Sequence, residues 1–124
     1  MSANNTSTSI SKDIIITNLT GYISIADVGK WFDTFEQTCH LYIKQNKKFK
    51  LLVNRKDYTP EHFTVQKLWK DKFFSNDLLN NTIAIAFLLD EGDILDHLNQ
   101  SNTKENVRFS SDYDYLIDWI TSYK

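Results

Sequence analysis

The residues with the clearest capacity for chemistry stand together in the segment NRKDYTPEH, residues 54–62. Asp57, Glu61 and His62 could form a small acid–base site, because carboxylates and imidazole exchange protons with a substrate within hydrogen-bond reach. A helix start is predicted between Asp57 and Glu61, so one carboxylate would lie outside the helix and the other inside it. That separation argues against a catalytic pair, and we expect that the chain is not an enzyme.

The same segment is predicted to be a strand-to-helix junction. The apolar run FKLLV precedes it, and Thr59, Pro60 and Glu61 combine a capping hydroxyl, a proline at the first helical position and an acid in the first turn. Such junctions often bind ligands in α/β proteins, and the N–H groups of a helix start attract an anion or a phosphorylated side chain. Structural roles compete, since Thr59 can simply cap and Arg55 can pair with Asp57. The candidate interaction loop and helix start comprises Asn54, Arg55, Asp57, Tyr58, Thr59, Glu61 and His62.

The other reactive groups favour structural roles. Cys39 is the only cysteine, which excludes an intramolecular disulfide and a zinc cage of thiolates, and it lies on an apolar helical stripe. A group of carboxylates directly after the apolar run TIAIAFLL could bind Mg²⁺, but such groups more often stabilise a helix start. It comprises Asp90, Glu91, Asp93 and Asp96. The chain has three glycines, which excludes the glycine-rich loops that bind nucleotide phosphates, so we expect no cofactor. Given the structural roles of Cys39 and of the carboxylates, we also expect no metal site.

The composition is typical of one soluble domain. The 124 residues are 41% hydrophobic and 24% charged, which suffices for one core and not for two ordinary domains. The net charge of −2 argues against a nucleic-acid partner. The charge is uneven, because residues 1–75 carry eleven Lys and Arg against seven Asp and Glu, whereas residues 76–124 carry three against nine. No apolar run approaches the ~20 residues that cross a bilayer, and no signal peptide is recognisable, so we expect a cytoplasmic protein without integral membrane association.

Hydrophobic periodicity predicts alternating strands and helices. Residues 1–11, rich in Ser, Thr and Asn, are expected to form a disordered tail, and residues 12–124 a single α/β domain. Ser24 and Asp27 predict the start of a helix whose apolar stripe runs from Ile25 to Ile43. Strands are predicted over 13–18, 49–53, 82–89 and 106–110, and further helices from Pro60, over 92–100 and over 111–123.

Two further features bear on function. Tyr115 and Trp119 lie one helical turn apart on the last helix, beside its buried stripe, and would form a contact patch if exposed. Ala84 and Ala86 alternate with large residues in the third long strand. Small side chains at these positions could leave room for an apolar ligand between the sheet and its helices.

The runs LTGYISIADVGKWFDTFEQ, KFKLLVNRKDYTP, TIAIAFLL and VRFSSDYDYLIDWI together resemble the SpoIIAA-like branch of the STAS (sulphate transporter and anti-sigma-factor antagonist) superfamily. The resemblance covers about residues 13 to 122. It implies a four- to five-stranded mixed sheet with about four helices packed mainly on one face. Members of the superfamily are mostly interaction modules, and the anti-sigma-factor antagonists are switched by phosphorylation of a Ser in an Asp-Ser-x-Gly motif. That motif is absent here, so the hydroxyls of Thr59 and Thr64 are the remaining candidate phosphosites.

Three functions remain open at this level. We expect a non-catalytic STAS-like protein-interaction or regulatory module, whose partner is another protein or a second copy in a homodimer. The alternatives are a carrier of a small apolar ligand such as a lipid, and a small enzyme that uses Asp57, Glu61 and His62.

Overall fold

The computed structural model describes residues 6–11, 14–60, 64, 67–68 and 81–123, with the backbone alone for Thr6 and Tyr58–Pro60. Helices and strands alternate along most of this chain. The strands are β1 (Thr6–Ser11), β2 (Ile14–Leu19), β3 (Gly21–Ile23), β4 (Phe49–Asn54), β5 (Tyr58–Pro60), β6 (Thr82–Leu88) and β7 (Val107–Ser110). The helices are α1 (Ile25–Ile43), α2 (Asp93–Ser101) and α3 (Tyr113–Ser122).

Five strands form a mixed sheet in the order β1-β2-β4-β6-β7, which confirms the predicted α/β class. β1 runs antiparallel to β2, and the other neighbours are parallel. The expectation of a disordered tail over residues 1–11 does not hold for Thr6–Ser11, which pairs with β2 along its whole length, and residues 1–5 lie outside the described residues. Its hydroxyls find partners in that strand: Thr8 Oγ1 lies 3.0 Å from Thr17 Oγ1.

The predicted helix start at Thr59 and Pro60 is wrong. Both residues belong to β5, which pairs in parallel with β3, so that Tyr22 lies opposite Thr59 and Ile23 opposite Pro60. β5 is an edge strand of a two-stranded ribbon, so one of its edges forms no hydrogen bonds to another described strand. Pro60 is tolerated there because the N–H that proline lacks is not required at such an edge. Among the described residues that follow, Thr64 is the first in a helical conformation.

The start of α1 follows the sequence prediction. Ser24 Oγ accepts a hydrogen bond from the Asp27 N–H at 3.1 Å, and Asp27 Oδ2 accepts one from the Ser24 N–H at 2.9 Å. This reciprocal pair satisfies two N–H groups that the first turn of a helix leaves without partners. Further upstream, Gly21 has a φ of 74° and makes the left-handed turn between β2 and β3.

The core has two layers, because alternate residues of the strands point to opposite faces of the sheet. On one face α1 contributes Val28, Trp31 and Phe35 to a cluster with Ile15, Leu51, Val53, Ile85 and Phe87. On the other face α3 contributes Leu116 and Ile120 to a cluster with Ile14, Leu52, Ala84, Ala86 and Leu88. β4 and β6 are therefore buried on both sides.

The three described helices cover both faces of the sheet. α2 packs against β7 on the α1 face, where Leu98 lines a cleft with Val107 and Phe109. Two of the described helices, α1 and α2, pack on one face, and α3 covers the other. Strands that are apolar on both sides require such a second layer. Among the residues described, no helix combines the length and apolar character needed to span a membrane.

Candidate functional site

The predicted interaction loop begins with residues that hold neighbouring strands together. The side-chain amide of Asn54, at the end of β4, donates to Asn18 Oδ1 in β2 at 3.0 Å, and Asn18 Nδ2 donates to Ser7 Oγ in β1 at 2.9 Å. Asn54 Oδ1 also accepts from the Lys56 N–H at 3.0 Å, which fixes the turn that follows β4. The polar atoms of Asn54 are thus used within the fold.

Asp57 connects this loop to two other segments. Its backbone lies in the left-handed region, with φ of 58°. Its N–H donates to Asp90 Oδ2 at 2.9 Å, and its carbonyl accepts from the Gly21 N–H at 2.9 Å. One carboxylate of the acidic group after β6 therefore serves as a structural acceptor, whereas the Asp57 side chain is exposed.

Arg55 differs from its neighbours because its side chain is buried, with 8% of its surface exposed. Its N–H donates to the Leu88 carbonyl at 2.8 Å, which continues the ladder between β4 and β6. The side chain lines a cleft of about 210 Å³ together with the segment that leads into α2. The first turn of α2 contains Asp93 and Asp96, and its N-cap is Gly92, which makes no side-chain cap.

The structure describes five of the seven residues of the predicted loop, and these five are divided between two elements. Asn54, Arg55 and Asp57 lie at the carboxyl end of β4, and Tyr58 and Thr59 are in β5. Glu61 and His62 lie outside the described residues. Thr64, the second candidate phosphosite, is exposed.

The predicted contact patch on α3 has a more defined geometry. Tyr115 and Trp119 are joined by Arg108 of β7, whose Nη1 donates to the Tyr115 hydroxyl and whose guanidinium carbon lies 5.1 Å from the centre of the Trp119 ring. The Trp119 ring meets the Tyr123 ring edge-on at 5.3 Å between centroids. We call Arg108, Tyr115, Trp119 and Tyr123 the aromatic strip.

The strip follows from the periodicity of the two elements that carry it. Tyr115, Trp119 and Tyr123 are spaced by four residues, which places them on one line along the end of the chain. Arg108 lies between Val107 and Phe109, both packed on the α1 face, so alternation along β7 directs Arg108 to the opposite face, under α3. The sequence indicated Tyr115 and Trp119 as contact residues but not Arg108 and Tyr123. Strand alternation in β7 could have indicated Arg108, and the four-residue spacing could have indicated Tyr123.

The strip combines exposed and anchored side chains. Tyr115 is 41% exposed, while Trp119, Tyr123 and Arg108 are half-buried. Trp119 and Tyr123 also pack against the hydrophobic cluster beneath α3, so each has one side on the core and one side on the surface.

Cys39 does not resemble a nucleophile. Its side chain is fully buried in the layer beneath α1. Burial, together with a smaller contribution from the nearby negative charge of Glu36, raises the pKa of the thiol from its ordinary value of 9.0 to about 12. Within the described part of the chain, no three His, Cys, Asp or Glu side chains lie where they could hold a metal ion together.

Comparison of the chain with protein-family models, with curated proteins and with solved structures finds no match.

Proposed function

We propose that this chain is a non-catalytic protein-interaction or regulatory module of STAS-like type, and that the aromatic strip is its contact surface. The observation that carries the proposal is the position of Arg108, held between the Tyr115 hydroxyl and the Trp119 ring at the surface of the molecule. A reducing, cytoplasmic setting fits this proposal, because the single cysteine of the chain has no second thiol to pair with.

The residue types of the strip support a role in binding. Tyr, Trp and Arg are the side chains that most often dominate the energy of protein interfaces. The fixed positions of these side chains in the free molecule also favour binding. Each side chain that must be immobilised on binding costs about 0.5–1.5 kcal/mol of binding free energy. Arg108 and Trp119 hold each other in place before a partner arrives, which lowers this cost.

The charges beside the strip favour a second copy of this chain as the partner. The exposed carboxylates of Asp114 and Asp118 lie on α3 next to the strip, and Lys104 shares a cleft with Glu105 and with Tyr123 at the end of the strip. A twofold axis across the strip would bring the α3 carboxylates of one copy towards Lys104 of the other, an arrangement that a symmetric contact satisfies twice.

The two alternative functions receive less support from the packing. The space beside Ala84 and Ala86 is occupied by Leu116 and Ile120 of α3, in the same buried cluster, so this feature does not favour an apolar-ligand carrier. For the enzyme hypothesis, the backbone of Asp57 is tied to Gly21 and Asp90 in a structural role. Phosphorylation of Thr59 or Thr64 stays part of the regulatory proposal, and the exposure of Thr64 suits it.

Sedimentation velocity over a dilution series tests the proposal. The wild-type chain of 14.5 kDa should form a dimer, and Tyr115→Glu should weaken dimerisation by about 30-fold, the equivalent of a 2 kcal/mol hot spot. Trp119→Ala should weaken dimerisation to a similar extent. Because Trp119 also packs on the core, the circular dichroism of this variant must match that of the wild type, to show that the variant is folded. Tyr113→Ala removes an equally exposed tyrosine of α3 that lies off the strip, and should leave the dimer intact. A wild type that stays monomeric at the highest concentration, or a Tyr113→Ala variant as defective as Tyr115→Glu, would overturn the proposal.

A further inference from the structure

A second surface feature lies at the opposite end of the sheet from the predicted loop, next to the Tyr123 end of the aromatic strip. It is a groove of about 510 Å³ at the amino-terminal ends of β2, β4 and β6, closed on one side by the last turn of α3. Its volume falls within the range of roughly 300–1,000 Å³ that small-molecule sites occupy. We call it the lysine groove, after Lys47, Lys48 and Lys50, which line it.

The three lysines give the groove a positive potential. Lys47 and Lys48 are exposed in the connection between α1 and β4. Lys50 points from β4 towards the end of α3, where its ammonium donates to the carbonyls of Tyr123 at 2.7 Å and Thr121 at 3.3 Å. These acceptors are uncharged, so they orient the Lys50 ammonium without cancelling its charge. The described lining of the groove contains no Asp or Glu.

Apolar side chains form the floor of the groove. Ile14 of β2 and Phe49 of β4 are buried, Ile83 of β6 is half-buried, and Tyr42 of α1 packs against Phe49 with ring centroids 5.7 Å apart. An apolar floor beneath a cationic rim is the pattern that a ligand with a charged head and an apolar body requires, because each part of such a ligand meets its complement.

We infer that the lysine groove binds an organic anion with a short aliphatic or aromatic body and a carboxylate or phosphate head. The head lies among Lys47, Lys48 and Lys50, and the body covers Ile83 and Tyr42, the half-buried apolar side chains of the lining. A lysine ammonium acts as a point charge and not as a planar fork, so carboxylates and phosphates are both accepted. This binding activity goes beyond the proposed interface and does not depend on it.

Isothermal titration calorimetry with four probes tests the inference. Octanoate and octyl phosphate, each at concentrations below those at which it forms micelles, should bind in the micromolar to millimolar range. Octanol lacks the charge and inorganic phosphate lacks the body, so both should bind at least about tenfold more weakly. Raising the salt concentration should weaken the binding of octanoate, because the lysines are close to solvent. Octanoate and octyl phosphate together identify the shared chemistry, and their ratio distinguishes a free carboxylate from a phosphorylated lipid head as the preferred source.

A charge-removal pair assigns the binding to this groove. Lys47→Gln combined with Lys48→Gln should weaken octanoate binding about tenfold, since the variant loses two exposed ion pairs that each contribute modestly. The matched control, Lys30→Gln with Lys67→Gln, removes the same charge from exposed positions elsewhere and should bind as the wild type does. Absence of binding to the wild type, equal binding of octanol and octanoate, or equal weakening by the control pair would overturn the inference. Sedimentation velocity on the same samples reports dimerisation separately. A failure of octanoate binding can therefore be distinguished from a failure of the proposed interface.

Discussion

At the scale of single residues, Thr17 shows how a polar group becomes part of the core. Its hydroxyl is fully buried in β2, where it accepts from the Trp31 indole at 2.6 Å and donates to the Ser7 carbonyl at 3.2 Å. One side chain therefore ties α1 and β1 to the same strand.

Replacing Thr17 tests this link. Thr17→Val keeps the shape of the side chain but removes the acceptor of the Trp31 N–H, and we expect the free energy of unfolding to fall by about 1–3 kcal/mol. Urea denaturation monitored by tryptophan fluorescence measures the change. Thr38→Val is the matched control, because the half-buried Thr38 hydroxyl donates to the Thr34 carbonyl of its own helix in a solvent-exposed bond, and its effect should stay within about 0.5 kcal/mol. Equal losses in both variants would contradict a special role for Thr17.

Cys39 leads to a prediction about pH. The thiol of the folded protein keeps its proton up to a pKa of about 12, whereas the unfolded chain releases it near the ordinary value of 9.0. Between these values the unfolded state binds fewer protons, so the free energy of unfolding should fall by about 1.4 kcal/mol per pH unit from this residue. Below pH 9 the residue contributes no pH dependence.

Alkaline unfolding of the wild type beside Cys39→Ala isolates this contribution, because the two proteins share every other residue. The stability of the wild type should decline more steeply above pH 9. Parallel curves would show that the thiol is not protected, and rapid labelling of the folded protein by a thiol reagent at pH 7 would lead to the same conclusion.

At the scale of elements, the first turn of α1 should contribute measurably to stability. Ser24→Ala removes the acceptor of the Asp27 N–H and should cost about 1 kcal/mol. Thermal denaturation followed by circular dichroism is sufficient to detect this loss. Ser122→Ala deletes a hydroxyl that only bonds back to the Asp118 and Trp119 carbonyls of its own helix, and should be close to neutral. A neutral Ser24→Ala would mean that the cap is redundant.

The elements that sequence analysis predicted correctly are those with a strong apolar period. The three- and four-residue spacing of Val28, Trp31 and Phe35 identified α1, and the apolar run from Ile83 to Leu89 identified β6. In each case the burial pattern observed is the one that the spacing requires.

The elements that sequence analysis missed are stabilised by contacts distant in the chain. β1 has little apolar content, and its formation depends on pairing with β2 and on the Thr8–Thr17 contact. β5 was assigned to a helix because Thr59 and Pro60 satisfy the local rules for a helix start, yet pairing with β3 overrides them. The candidate site shows the same division, because the spacing of Tyr115 and Trp119 was visible in the sequence while their joint contact with Arg108 of another element was not.

At the scale of the whole molecule, opposite charges lie near the two ends of the aromatic strip. Asp114 and Asp118 are exposed on α3 beside Tyr115 and Trp119, and Lys104 shares a cleft with Tyr123. In the proposed dimer Lys104 of one copy faces the α3 carboxylates of the other across the twofold axis, so the charges should couple in binding.

A charge-exchange cycle tests this coupling. Lys104→Glu alone and Asp118→Lys alone should each weaken the dimer about threefold or more, since each brings like charges together. The double variant restores opposite charges and should recover most of the wild-type affinity, whereas independent sites would give the product of the two single losses. Sedimentation equilibrium at low salt measures all four proteins, and additive losses would exclude the proposed pairing of Lys104 with the carboxylates of α3.

The central claim is that the aromatic strip is where this chain contacts a partner, and the most direct measurement is of contacts between protomers. Nuclear Overhauser spectroscopy, filtered to detect only contacts between a ¹³C-labelled and an unlabelled copy in a mixed sample, reports them without mutation. The account predicts intermolecular signals from the rings of Tyr115 and Trp119 and none from Tyr22, an exposed tyrosine of β3 that lies off the strip. Intermolecular signals confined to other surfaces, or their absence at millimolar concentration, would contradict it.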